Sequence, residues 1–207
     1  MKTETINTIR ELTGLSSEML DRVIARYLEP ERHYHGLEHI RRMFRTAAAR
    51  HLTPSRAQAL AILYHDAVYV PGSTDGQNEK LSALLLRQHV HGSRVPVEIT
   101  EEAVTIIHDT INHTASIDSS RLVLDLDLSG LGAPWEQFQA DSEAVFQEVQ
   151  HLVRDAQDYY ERRAAFFEAL CKRTQIYLLP GFAALEQIAR QNMQRTIDNV
   201  RTGKPGL

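Results

Sequence analysis

The chain has 207 residues, of which 43% are hydrophobic and 24% are charged, with only 10 Gly and 7 Pro. This composition excludes disordered, collagen-like and low-complexity chains, and it predicts a globular protein of one domain, residues 1–207, with enough residues to bury a core. The formal net charge of −4 gives no positive field to gather nucleic acid, so an anionic ligand needs a local site.

Cysteine content and hydropathy indicate the cellular compartment in which the protein is expected. The single cysteine, Cys171, cannot form an internal disulfide, which favours a reducing environment. Residues 1–20 are too polar for a signal peptide, and the longest apolar run, residues 59–64, is far shorter than the ~20 residues of a membrane span. We therefore expect a soluble, cytoplasmic protein without a membrane or nucleic-acid partner; its oligomeric state stays open.

Apolar residues recur at helical spacing along almost the whole chain, which predicts an all-α helical bundle. Two N-terminal helices are expected within residues 1–28, with a break at Gly14. A central region, residues 30–130, contains an apolar helix opened by Pro54 and ending near residue 66, a polar loop at 71–77, and a helix capped by Thr100. Helices at 135–151, about 161–177 and 180–201 make up a C-terminal region, residues 134–202, before a frayed Gly-Lys-Pro-Gly tail.

The segment RLVLDLDL, residues 121–128, alternates apolar and acidic residues at its end, as a strand does. A lone strand would lack a partner in an otherwise helical chain, so we interpret the segment as a helix. On a helix, Asp125 and Asp127 point about 200° apart, and only one of them faces a given cavity. A carboxylate in such an apolar segment needs an ion partner or a metal.

Histidine is abundant, at 10 residues, and dense between positions 33 and 65. His35 and His39 lie near one face if a helix starts near Gly36. His65 and Asp66 end an apolar helix, at the rim of a core, where burial without partners is costly. The second His-Asp dipeptide, at 108–109, lacks that setting. Together with one distant aspartate, these side chains form a nitrogen and oxygen ligand set that suits Mn, Fe, Ni, Zn or, less well, Mg.

These residues carry a family resemblance. YHGLEHI (34–40), then the dipeptide His65-Asp66, then Asp127 in DLDLSGLG resemble the H…HD…D signature of the HD-domain metal-dependent phosphohydrolases. YHGLEHI is also similar to the YHNxxH segment of the cyclic-nucleotide phosphodiesterases, in which the second histidine binds metal and the first is the general acid. The resemblance implies an HD-type helical fold with a metal site between central helices, with His39, His65, Asp66 and Asp127 as ligands of one or two divalent ions and His35 as the acid. Gly36 stands where asparagine is usual, so this likeness does not choose the substrate.

A wider resemblance covers most of the chain. Residues 32–40, YHDAVY (64–69), NEKLSA (78–83), T-xx-H (110–113), DLDLSGLG, and IY followed by E-xx-AR-x-N (176–192) resemble a bacterial group of predicted HD phosphohydrolases. VRDAQDYY (153–160) departs from the Arg-Glu-Tyr pattern of that group, which leaves a role for Arg154 or Tyr159 in doubt. The alignment places Asp127 as the ligand and Asp125 as a supporting carboxylate, with the reverse assignment open.

Further side chains are candidates for the same pocket. Glu79 matches a glutamate that some HD nucleotidases use to orient the attacking water, although a helix N-terminus also favours an exposed glutamate. Arg32 and Lys80 are cations suited to phosphate. His113 either lines the pocket, binds a second metal, or is a neutral packed histidine. The remaining cations and histidines are expected on solvated faces: Arg41, Arg42, Arg45, His51, His89, His91 and His151.

The predicted function is metal-assisted hydrolysis of a small phosphoester, a nucleotide or a similar molecule, in which Asp66 bridges to a second ion or holds the water. One alternative is an HD-type di-iron oxygenase with extra ligands among His89, His91, His108 and His113. Another is a non-catalytic helical protein that binds a metal or a nucleotide. The sequence contains no Walker pattern or phosphate-cradling glycine loop, and it does not identify the substrate.

Overall fold

A computed structural model describes residues 2–74 and 76–203, and the elements within these ranges are helices without a strand. The predicted all-α class is therefore confirmed, and the segment with strand-like alternation is a helix. The chain divides into two compact units, the first ending at Leu126 and the second beginning at Asp127. The single-domain organisation stays a prediction, and the tail from residue 204 lies outside the described residues.

The first unit contains seven helices in its described part, of which the seventh ends one residue beyond the unit. They are α1 (Lys2–Thr13), α2 (Ser17–Arg26), α3 (Leu37–Ala49), α4 (Arg56–Tyr64), α5 (Gln77–Val90), α6 (Val97–Thr110) and α7 (Ser120–Asp127). The predicted loop at 71–77 is present except for Gln77, which is the first residue of α5, and residue 75 lies outside the described residues.

Helix α4 is the centre of the first unit. Nearly all its residues are buried, and it packs against α1, α3, α5 and α6. A helix that is apolar all round must be covered on every side, which explains this position. Ser55 fixes its start through a capping box with Gln58, and the helix ends at Tyr64, directly before the His65-Asp66 pair. The burial of α4 thus carries that pair to the edge of the core.

Helix α3 begins at a close backbone approach. Gly36 is its N-cap, and a Cβ atom there would lie 3.2 Å from the Arg32 carbonyl oxygen and 3.4 Å from that of Tyr27. The next residue, Leu37, donates its N–H to the same Tyr27 carbonyl at 3.2 Å. Glycine at this position therefore lets the end of α2 and the start of α3 meet, which sets the position of His39 one turn later.

Two helix starts differ from the predicted ones. Helix α6 begins at Val97 after Pro96, so Thr100 lies inside it and donates its hydroxyl to the Pro96 carbonyl instead of capping the helix. Helix α9 begins at Ala156, because the side chain of Asp155 accepts the N–H of Asp158 as an N-cap. In both places the cap lies one turn or more before the predicted start.

The second unit contains α8 (Trp135–Val149), α9 (Ala156–Cys171) and α10 (Ala183–Arg201), with short 3-10 helices at Leu128–Gly132, Gln150–Leu152 and Pro180–Phe182. Helix α10 packs against α9 and the first 3-10 helix. The three polar residues of the E-xx-AR-x-N motif on this helix hydrogen-bond to backbone groups. Glu186 accepts the N–H groups of Ile176 and Tyr177, and Arg190 donates to the carbonyl of Cys171. Asn192 donates to the carbonyls of Leu131 and Ala133. This part of the wider resemblance thus has a structural role.

In the described ranges, the helices are either too short or too polar to cross a lipid bilayer.

Candidate metal centre

Two buried histidines face each other at the edge of the first unit. His39 lies on the first turn of α3, among the buried residues of that helix, and His65 directly follows the last residue of α4. Their Nε2 atoms are 3.3 Å apart, although 26 positions separate them in sequence. The histidines predicted to share a cation are therefore brought together.

The orientation of His65 is set by its second ring nitrogen. Nδ1 lies 3.0 Å from the carbonyl oxygen of Ile62. Because a carbonyl oxygen only accepts hydrogen bonds, Nδ1 carries the hydrogen in this pair. In the neutral ring, Nε2 then presents a lone pair towards His39, and this backbone contact is the usual way in which a protein fixes the tautomer of a metal-binding histidine.

The carboxylate of Asp66 completes a set of electron-pair donors around this point. Its Oδ2 atom lies 3.0 Å from Nε2 of His65 and 3.8 Å from Nε2 of His39. Burial by itself raises the pKa of Asp66, but the charge and hydrogen bond of His65, with the charges of His35 and His39, hold the pKa well below its usual range. Asp66 is therefore an ionised carboxylate at this point, which is the form that binds a cation.

The spacing of these atoms fits a single metal ion. The three separations define a triangle whose corners all lie about 2.0 Å from one point, which matches the bond length from a divalent transition metal to histidine or carboxylate. Within the described residues, His39, His65 and Asp127 also form a group whose ligand atoms lie within 4.8 Å of one another. His39, His65 and Asp127 could therefore hold a metal ion, with both histidines buried and Asp127 half-buried.

Of the two aspartates of α7, the one at the metal group is Asp127. It is the last residue of α7 and is half-buried, whereas Asp125 is fully buried. Two residues apart on a helix point in nearly opposite directions, so the approach of Asp127 to the histidines turns Asp125 away from them. This arrangement agrees with the ligand assignment that the resemblance implies.

His35 lies beside the metal group but not on the helix of His39. It precedes the N-cap Gly36, so the helix starts near Gly36 as predicted and His35 lies just before its first turn. The centroids of the two imidazole rings are 6.3 Å apart. His35 is half-buried, stacks on Tyr69 at 4.3 Å with an interplanar angle of 26°, and meets the edge of Tyr34 at 4.9 Å. The imidazole thus lies at the rim of the site with a defined orientation.

Arg32 binds the backbone of the site. Its side chain is only 3% exposed, and it donates to the carbonyl oxygens of Asp66 at 2.6 Å, His35 at 3.1 Å and Ala67 at 3.2 Å. Its Nε donates to the exposed carboxylate of Glu29. The predicted contact with substrate phosphate stays a prediction, while these bonds join the segment of His35 to the turn that follows α4.

The other predicted pocket residues are not part of this group. Glu79 and Lys80 lie on the first turn of α5, the former half-buried and the latter exposed. His113 is half-buried and adopts the left-handed backbone conformation, with φ of 47°, after the end of α6. Their roles in water orientation, phosphate binding and pocket lining stay predictions.

The second His-Asp dipeptide has a different environment. His108 is exposed, and Asp109 accepts hydrogen bonds from the N–H and hydroxyl of Ser116 and from the hydroxyl of Ser120 at the start of α7. Asp109 therefore organises the connection between α6 and α7. The two His-Asp dipeptides thus differ in their place in the fold, since His65-Asp66 follows a buried helix and His108-Asp109 does not.

Of the side chains predicted on solvated faces, Arg41, Arg42 and His89 are partly buried, and two of them have aromatic partners. Arg42 donates from Nη2 to the hydroxyl of Tyr34 at 2.9 Å and lies over that ring. His89 lies with Nδ1 3.1 Å from the hydroxyl of the buried Tyr64. Both predictions were wrong because each partner is distant in sequence or on another helix. The aromatic neighbours Tyr34 and Tyr69 received no role from the sequence, although both belong to the motifs that carry the resemblance.

We compared the chain with family models, curated proteins and solved structures and found no match, so the site is described by its own residues and geometry.

Proposed function

We propose that this chain is a divalent-metal-dependent hydrolase of small phosphate esters. The observation that carries the proposal is the convergence of His39, His65 and Asp66 on one point at metal-bond length, with Asp127 beside it. The resemblance to the HD-domain phosphohydrolases supports the same reaction class. A bound divalent ion would polarise a phosphoryl oxygen and lower the pKa of a water ligand towards about 7.

His65, Asp127 and His35 each have a different role in the proposed reaction. The Ile62 carbonyl accepts a hydrogen bond from Nδ1 of His65, so Nε2 is the nitrogen of this ring that would hold an ion. Asp127 is half-buried, which leaves this side of the group accessible to water and to a small ester. His35, stacked at the rim, supplies a proton to the leaving oxygen, a task for which the imidazole group of histidine is suited.

The substrate class follows from charge and from the type of site. The formal charge of −4 offers no broad attraction for a polyanion, so a small phosphorylated molecule, such as a nucleotide, fits better than a nucleic acid. The ligand set of two imidazoles and two carboxylates suits Mn, Fe, Ni or Zn, and Mg less well.

Metal analysis of the purified protein followed by a phosphoester panel with Mn²⁺, Ni²⁺ or Mg²⁺ tests the proposal. We expect His65→Ala and Asp66→Ala to lose metal and activity together. His35→Ala should retain the metal while the rate falls about 10²–10⁴-fold. His108→Ala is the matched control, because this exposed histidine belongs to the other His-Asp dipeptide, and it should retain both.

The outcomes separate the proposal from its alternatives. Metal loss in His35→Ala would overturn the assignment of His35, and metal retention in His65→Ala would overturn the site. Phosphate release under anaerobic conditions is expected; oxygen consumption with bound iron would instead identify an oxygenase. A metal-loaded protein that cleaves no ester in the panel would refute the hydrolase and leave a metal-binding protein.

A further inference from the structure

The segment that follows the His65-Asp66 pair is held to α5 by two side chains. The hydroxyl of Ser82 accepts the N–H of Val68 at 2.9 Å and donates to the carbonyl oxygen of the same residue at 3.3 Å. Asn78 binds Val70 in the same way, through Oδ1 at 3.0 Å and Nδ2 at 3.2 Å. Asn78 and Ser82 lie four residues apart, on one face of α5, so they fix alternate residues of the segment.

Tyr69 lies between the two fixed residues. Its backbone is bounded on either side by these paired hydrogen bonds, and its ring stacks on His35 with centroids 4.3 Å apart. The guanidinium carbon of Arg32 lies 5.6 Å from the centroid of the same ring. Helix α5 is thereby joined to the imidazole of His35 through one aromatic side chain.

His35 needs such support because of its place in the chain. It lies before the N-cap of α3, in a bend, so its backbone is not held by helical hydrogen bonds and its orientation depends on side-chain contacts. Ring stacking of this kind favours one orientation of a side chain over others. A reacting group displaced by about 1 Å can lose about 10²-fold in rate, so the orientation of an acid matters for catalysis.

We propose that Tyr69 is a positioning residue that holds the imidazole of His35 at the angle from which it protonates the leaving oxygen, and that Asn78 and Ser82 act through Tyr69. This inference rests on the proposed function. In that reaction the oxygen of water bonds to phosphorus and its proton is released. The bond from phosphorus to the leaving oxygen breaks, and that oxygen takes a proton from His35, which regains one from solvent.

Leaving-group dependence tests this role, with two esters of phosphate as probes. The p-nitrophenyl ester departs without a proton, whereas an alkyl ester, such as a nucleoside 5′-monophosphate, requires one. For Tyr69→Leu we expect kcat on the alkyl ester to fall about 10- to 100-fold, with KM and the rate on the aryl ester within about twofold of the parent values. Tyr69→Phe retains the ring and should behave like the parent protein.

The role of Asn78 on α5 is tested with a variant of this residue and a control variant on the same helix. Asn78→Ala should show the same selective loss on the alkyl ester, to a smaller extent, because Ser82 still holds Val68. Gln77→Ala removes an exposed neighbour on the same helix and should change neither rate. Equal losses on both esters in Tyr69→Leu, or no loss on either, would overturn the positioning role.

A second measurement does not depend on activity. The His35 ring protons, assigned by comparison with His35→Gln, are shifted in NMR spectra by the ring current of Tyr69. Tyr69→Leu and Asn78→Ala should move these resonances, and Tyr69→Phe should leave them in place. Unmoved resonances in both of the first two variants would overturn the inference, whereas a chain that cleaves neither ester but shows these shifts would refute the proposed function alone.

Discussion

Replacement of Arg32 by methionine distinguishes a cation that holds the site together from one that binds substrate. The guanidinium is 3% exposed and donates to three carbonyl oxygens, those of His35, Asp66 and Ala67. Methionine is similar in length but has no donor. The substitution therefore removes these bonds while it retains most of the buried volume.

The magnitude follows from the bonds that are lost. A hydrogen bond from a charged donor contributes about 1.5–3 kcal/mol, and three such bonds are removed. Water can replace part of this loss at the carbonyl of His35, which is half-buried, and less at those of Asp66 and Ala67, which are buried. The ion pair with Glu29 adds little, since that carboxylate is 47% exposed. We expect the free energy of unfolding to fall by about 3–4 kcal/mol.

Urea unfolding of the metal-free protein, followed by circular dichroism, measures this loss. Arg32→Lys should lie between the parent and the methionine variant, because an ammonium cannot reach three carbonyls as a planar fork does. Arg45→Met is the control: Arg45 pairs with Glu38 on an exposed face of α3, and we expect a loss below about 1 kcal/mol. An equally small loss for Arg32→Met, together with a raised KM for a phosphoester, would refute the structural role and favour substrate binding.

Two further predictions concern residues that are not candidate metal ligands. Asp109→Ala removes the acceptor of three hydrogen bonds from Ser116 and Ser120. The free energy of unfolding, measured in urea, should therefore fall by about 2–3 kcal/mol, while the protein still binds Mn²⁺. An unchanged midpoint of the urea unfolding transition would contradict this prediction. Burial raises the pKa of Tyr27 and of Tyr159 above the ordinary value of about 10. The fold therefore favours the neutral phenols, and their contribution to stability is complete below pH ~10 and is lost as the pH rises through the folded-state pKa values. Tyrosinate absorbance should rise together with the loss of helical circular dichroism, and ionisation of these phenols without unfolding would contradict the assignment.

The local pattern of apolar and polar residues was sufficient to predict the helices and part of the candidate metal centre. The apolar run of α4 predicted a buried helix, and burial of its end explains why His65 and Asp66 reach the rim of the core. The 100° rotation per residue of a helix showed that Asp125 and Asp127 cannot serve one cavity together. These inferences depend on neighbours in sequence, and the structure agrees with them.

Contacts between distant positions were not predictable in the same way. Arg32 was expected to bind phosphate, but its donors reach carbonyls 34 and 35 positions away. Tyr69 received no role, because its stacking on His35 depends on how α5 holds the intervening segment. An arginine or a tyrosine in a motif looks the same in sequence whether it binds a ligand or holds another residue in place. Only the tertiary contacts distinguish these two roles.

Tyr27 links the two helix ends that carry the histidines of the candidate metal centre. The carbonyl of Tyr27 accepts the N–H of Leu37 at the start of α3, and its hydroxyl donates to the carbonyl of Leu63 near the end of α4. Both helix ends that carry the histidines are therefore bound to one buried side chain and its own backbone. A ligand pair fixed in this way needs little rearrangement to bind an ion, which lowers the entropic cost of binding. Affinity for the metal should thus depend on Tyr27 as well as on the ligands.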